Sequence, residues 1–168
     1  MADLSSVSIW IKVCLVLVPL GGLFHLIGFA SPYWVSAVLG HSGIWRFCNI
    51  AVCIDYLDAA FSARLQGWLR ATQFFETVGL IVIAVAVVLL FLSIFLQAFK
   101  DKTIITIINA IACFAASGSI IIGAIIYGSQ EGLAQHLSWA FALCIVGGIL
   151  EGVAGALIIV GTFVIRRT

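Results

Sequence analysis

Two cysteines, Cys48 and Cys53, lie close together in the long segment between residues 30 and 72, separated by four residues. A thiol pair this close, on the oxidising side of a membrane, forms a disulfide. Closing so small a ring stabilises by only about 2 kcal/mol on the chain-entropy model, so the bond's expected job is local, pinning a hairpin tip. Zinc is the poorer reading of the pair, because no further Cys or His pair stands at ligand spacing. Cys14, Cys113 and Cys144 lie within apolar runs, where a free thiol behaves as a small hydrophobe. No catalytic residue, metal site or cofactor is expected from these side chains: an enzyme would need a nucleophile with its base, a metal cluster or a redox pair beside a cofactor. A membrane thiol oxidoreductase is a remote alternative, since Cys48 and Cys53 are spaced more widely than Cys-x-x-Cys and have no relaying pair outside the apolar runs.

Acidic residues inside apolar runs need a reason, because one at mid-membrane costs about 2.5–3.5 kcal/mol on insertion scales. Glu151 is such a residue. Cys144, Gly148, Glu151, Gly155 and Thr162 share one helical stripe, beside Gly148, Gly152 and Ala156 at four-residue spacing. A matching stripe, Thr106, Asn109, Ala112, Ala116, Ser119 and Gly123, lies in the preceding run. Small residues let two helices approach and polar ones bond across. A neutral Glu151 bonded to Ser117, Ser119 or Asn109 is therefore the expectation; a proton or ion pathway, or docking of a partner's helix, are the alternatives. His25 and Glu76 form a second candidate pair, each about a turn inside the outer surface. It is expected to be a half-hydrated packing contact, with pH sensing as the alternative because histidine titrates near neutrality. His41 and His136 read as ordinary loop residues.

These side chains must be positioned by membrane-spanning helices. Of 168 residues, 64% are hydrophobic and 9% charged, and mean hydropathy is +1.26. That is too little charge to cover a soluble domain. A net charge of +1 gives no reason to expect a nucleic-acid partner. About 20 apolar residues cross a bilayer core of ~30 Å, and four runs suffice: residues 8–29, 73–99, 104–127 and 137–165. The connections are a long loop, 30–72, a short polar turn around Lys100-Asp101-Lys102-Thr103, and a small loop, 128–136. The fold class is an all-α membrane four-helix bundle forming one domain over 1–168. The first run is longer than the core of a cleavable signal peptide and is read as a span; Pro19 is expected to bend it. An even number of spans places Lys12, Lys100, Lys102, Arg166 and Arg167 on one side, against Arg46, Arg64 and Arg70 on the other. The excess marks the terminal side as cytoplasmic.

Within the long loop, Tyr33-Trp34-Val35 and Gly43-Ile44-Trp45-Arg46-Phe47 carry aromatic and β-branched residues bounded by glycine and serine, which predicts strands. The stretch from Ile54 to Leu65 is mixed, suiting a further strand and a short helix. Trp34, Trp45 and Trp68 are candidate interface anchors, Trp68 above all because it immediately precedes the second run. Trp34, then Gly43-Ile44-Trp45, Cys48 and Cys53, and Arg70 before the second span together resemble the claudin superfamily signature, a tryptophan, a Gly-Leu-Trp, two cysteines and a closing arginine. Trp68-Leu69-Arg70-Ala71-Thr72-Gln73 and Ser138-Trp139-Ala140-Phe141-Ala142 are also similar to that family. The resemblance implies a small extracellular antiparallel β-sheet on the helix bundle and a plasma-membrane location. It also implies partners limited to the lipid bilayer and other membrane proteins. Departures are visible too. The two cysteines are closer than in claudins, the second loop is short, the chain ends Arg166-Arg167-Thr168 rather than in Tyr-Val, and there is no Asn-x-Ser/Thr sequon. The features of tetraspanins (Cys-Cys-Gly in a large second loop) and connexins (three cysteines per loop) are missing as well.

The function implied is a non-enzymatic role in cell–cell contact or paracellular barrier formation, with neighbours meeting side by side through the sheet. The alternative is an accessory subunit packing its spans against an ion channel or receptor.

Overall fold

A computed structural model describes residues 8–58, 65–96 and 103–165. It contains four long helices, α1 (Ile9–Ala30), α2 (Gly67–Phe95), α3 (Thr103–Gly128) and α4 (Trp139–Ile165), each long and apolar enough to cross a membrane. The charged stretch around residues 100–102, Arg64 and the closing Arg166 and Arg167 lie outside the described residues. At 1.5 Å per residue α2 runs about 43 Å, well beyond a hydrocarbon core of ~30 Å. That excess corrects the expected boundary: the helix starts at Gly67 rather than Gln73. A hydropathy run ends where polar residues begin, but a helix continues as long as its backbone bonds are made. Trp68 and Arg70 therefore stand on the first turns of α2 rather than in the loop. Pro19 is accommodated inside α1, which ends as the chain turns extended at Ser31, ahead of Pro32.

The helices form a ring in which α1 packs on α4, α4 on α3 and α3 on α2, with a lighter contact between α1 and α2. The α1–α4 crossing is close. A Cβ on Gly28 would fall 2.6 Å from the Ala140 carbonyl oxygen and the Cys144 sulfur, and one on Gly147 would fall 2.8 Å from the Gly21 carbonyl. On its neighbouring face α4 sets Gly148 against Ile120, Gly152 against Ser117 and Gly155 against Ala110, so the small residues of α4 do meet α3, but not the expected stripe: Gly123 and Ala116 of that stripe are turned to Glu76 and Gly79 of α2.

At one end of the ring stands a four-stranded antiparallel sheet of β1 (Val35–Ala37), β2 (Gly40–Ser42), β3 (Arg46–Asn49) and β4 (Cys53–Asp55), in that spatial order. The register pairs Val35 with Ser42, His41 with Cys48 and Cys48 with Cys53. Strand formation was expected here, but the positions differ. Gly43-Ile44-Trp45 is the connection between β2 and β3, not part of a strand, and Tyr33 and Trp34 precede β1. β1 also meets the second loop, through a bridge from Val35 to Leu137 and a bond from the Ser138 N–H to the Trp34 carbonyl. A short 3-10 turn, Ala134–His136, completes that loop.

Candidate functional site

The signature residues fasten the sheet to the bundle. Trp34 is fully buried, its indole N–H donates to the Gly28 carbonyl at 2.8 Å, and its ring meets Tyr127 and Phe141 edge-on. This corrects its reading as an interface anchor: the ring is a core residue, enclosed by α1, α3 and α4. A Cβ on Gly43 would sit 2.3 Å from the Ser31 carbonyl oxygen, so only glycine lets the β2–β3 connection lie against the end of α1. Next to it Ile44 is buried and its carbonyl accepts the Gln73 amide at 2.7 Å. Trp45 is likewise turned inward, against Phe29 at 5.2 Å. Trp68 is half-buried, bonds Gln66 and touches the Tyr127 ring; Arg70 is exposed on α2.

Cys48 and Cys53 are joined as a disulfide across the β3–β4 pair, the local hairpin clasp expected. Nearby, Arg46 donates to Asp55 through two nitrogens at 2.7 and 3.1 Å. The bond from Arg46 holds the Asp55 carboxyl below its ordinary value. Burial pushes the Tyr56 hydroxyl above its own. His41 is not a plain loop residue: it lies in β2 and stacks on Tyr33 at 4.1 Å.

Two polar centres lie between the helices. The first joins His25 of α1, Glu76 of α2 and Cys144 of α4, all fully buried. His25 Nδ1 is 3.5 Å from Glu76 Oε2 and Nε2 is 3.1 Å from the Glu76 carbonyl oxygen. One ligand-capable atom from each of the three residues lies within 4.8 Å of the other two. The Glu76 carboxylate fits only because α3 offers Gly123 opposite it, where a Cβ would come within 2.6 Å of Oε1. Phe29 lies tilted against the His25 ring at 5.8 Å, and Trp45 meets Phe29 edge-on. The half-hydrated contact expected from sequence is thus replaced by a fully buried one, closed over by Phe29 and, beyond it, the signature's Trp45.

The second centre is Glu151, also fully buried. The expected bonds from Ser117, Ser119 or Asn109 are not made. Among the described residues neither carboxylate oxygen has a partner at hydrogen-bond geometry, and the Asn109 carbonyl oxygen has none either. Glu151 instead points across to α1, where a Cβ on Gly21 would lie 2.9 Å from Oε1, with the Cys113 thiol of α3 beside it. Ser117 is occupied against Gly152. Periodicity assigned Glu151 to the right helix but the wrong neighbour, because α4 is gripped by α1 and α3 at once. Cys144 was read as a hydrophobe. Depth is the signal that identifies it: it stands five residues inside its helix end, as His25 does in α1.

No protein-family model matches the chain, and no curated protein is significantly similar to it. The four apolar helices with a small antiparallel four-stranded sheet nevertheless fit a claudin-like layout.

Proposed function

We propose that this is a claudin-like, multi-pass protein of the plasma membrane, with both termini cytoplasmic. Its role is non-enzymatic, in cell–cell contact or a paracellular barrier. One observation carries the reading. The sheet is docked on the bundle by the Gly43–Trp45 connection, so antiparallel topology puts both remaining turns at the opposite end of the strands. Those turns display bare aliphatic side chains: Val38 is 98% exposed, Leu39 69%, Ile50 83% and Val52 54%. Exposed aliphatic side chains grouped at one end of a sheet favour an interaction site, and this end lies opposite the connection that docks the sheet.

The test is to express the full chain in adherent cells and to compare it with a Val38→Asp/Ile50→Asp double variant. Enrichment at cell borders, and transepithelial resistance, should fall in the variant while surface delivery stays normal. Uniform surface distribution of the natural chain, with co-purification of a channel or receptor, would favour an accessory subunit instead. A tag after Thr168 should be reached by antibody only in permeabilised cells.

A further inference from the structure

We propose that His25, Glu76 and Cys144 form a zinc site buried between α1, α2 and α4. Three independent features converge on it. Ligand type comes first: an imidazole, a carboxylate and a thiol are the donor set that zinc accepts, whereas Mg2+ and Ca2+ take oxygen alone.

Geometry is the second. Tetrahedral Zn2+, with bonds of about 2.0–2.3 Å, spaces its ligand atoms about 3.3–3.6 Å apart. The His25–Glu76 leg is already 3.5 Å. The other legs lie within 4.8 Å, so the widest closes with a shift of no more than about 1.3 Å.

The third feature is an unsatisfied set of polar atoms aimed at one point. His25 Nε2 is engaged by the Glu76 carbonyl oxygen, so Nε2 carries the hydrogen and Nδ1 presents a lone pair. A backbone carbonyl holding the second ring nitrogen is how proteins orient metal-ligating histidines. That Nδ1 and both Glu76 carboxylate oxygens are fully buried without a hydrogen-bond partner among the described residues. Buried polar atoms left unpaired cost about 1–3 kcal/mol apiece, and a cation among them removes that cost.

Charge balance favours the same ion. Zn2+ with a Glu76 carboxylate, a Cys144 thiolate and a neutral His25 forms an electrically neutral centre, as low-dielectric surroundings require. Binding expels the Cys144 proton, and with it the thiol's contact to the His25 carbonyl at 3.8 Å. A fourth ligand position remains for water. The centre would clamp three helices beneath the sheet, and nothing in it depends on which partner the sheet meets.

The full chain, purified in detergent, is incubated with ZnCl2, desalted and assayed for metal. A parallel sample is titrated with CoCl2, whose thiolate charge-transfer band reports a sulfur ligand directly. The natural chain should retain a single equivalent of zinc and develop the cobalt band. Cys144→Ala should abolish the band and weaken zinc retention at least about tenfold, and Glu76→Gln should weaken retention similarly. Cys113→Ala, which removes an equally buried thiol, should leave both readouts unchanged and controls for folding. No zinc retained by the natural chain, or equal retention and an unchanged band in Cys144→Ala, overturns the site. His25 and Glu76 would then be a two-residue contact only.

Discussion

Glu76 and Glu151 are the same residue in the same kind of place, and the structure treats them differently. Each is fully buried between helices, and each carboxylate rests against a glycine on a neighbouring helix, Gly123 for Glu76 and Gly21 for Glu151. Glu76 faces an imidazole and a thiol from two further helices, whereas Glu151 has only the Cys113 thiol beside it and no partner at hydrogen-bond geometry among the described residues. A buried carboxyl alone is a cost; a buried carboxyl among converging donors is a centre. The comparison separates a polar residue that organises its surroundings from one that is merely enclosed by them.

The largest effect should come from the core cluster that Cys144 of the Glu76 centre shares with Trp34. Trp34→Ala removes a fully buried indole and its bond to Gly28, with an expected loss of about 3–5 kcal/mol in denaturant unfolding of the detergent-solubilised chain. Cys144, which shares that core cluster, should become reactive to a small maleimide, while Cys113 should keep its natural rate. Equal acceleration of both thiols would mean global loosening and would break the comparison.

Glu76→Met should be next, leaving His25 Nδ1 buried against a thioether. In the zinc-loaded chain a loss of about 1.4 kcal/mol follows from a tenfold weaker site, because the bound ion stabilises only the folded state. Glu151→Met should have the opposite sign. Replacing an unpaired buried carboxyl by an apolar group of similar length is neutral or stabilising, by up to about 1 kcal/mol. Unfolding midpoints of the two variants, measured side by side, should move apart; a matching fall in both would show Glu151 to be bonded after all.

The smallest effect concerns a carboxylate that water already serves. Asp55 and Arg46 are 54% and 51% exposed, so their bond contributes little. The Asp55 carboxyl is held low in the folded state, first by the hydrogen bond from Arg46. The contribution is therefore present above the ordinary carboxylate value and lost as pH falls through the lower folded one. Amide exchange in β3 and β4 should quicken slightly on acidification, and Asp55→Asn should remove that dependence.

Much of this was legible in the residues. Four apolar runs of sufficient length fixed four helices, because a hydrophobic run must be buried or face lipid whatever it packs against. Two cysteines four residues apart within β-forming residues fixed the hairpin clasp, since a loop so short allows little choice of partner. Small residues at four-residue spacing on α4 fixed a close helix crossing on that face. Other features depended on atoms far apart in sequence. The start of α2 at Gly67 was hidden because polarity changes before the helix ends. Trp34 looks like an interface ring until Tyr127 and Phe141 are seen to enclose it. Glu151 turned to α1 rather than to Asn109 or Ser117, because which face of a helix meets which neighbour is set by how three helices cross, and a period of 3.6 residues carries no information on that. The union of His25, Glu76 and Cys144 joins residues up to 119 positions apart. Their types and depths were in the sequence, but their convergence was decided by packing alone: Gly28, Gly123 and Gly147 remove the side chains that would have kept those helices apart.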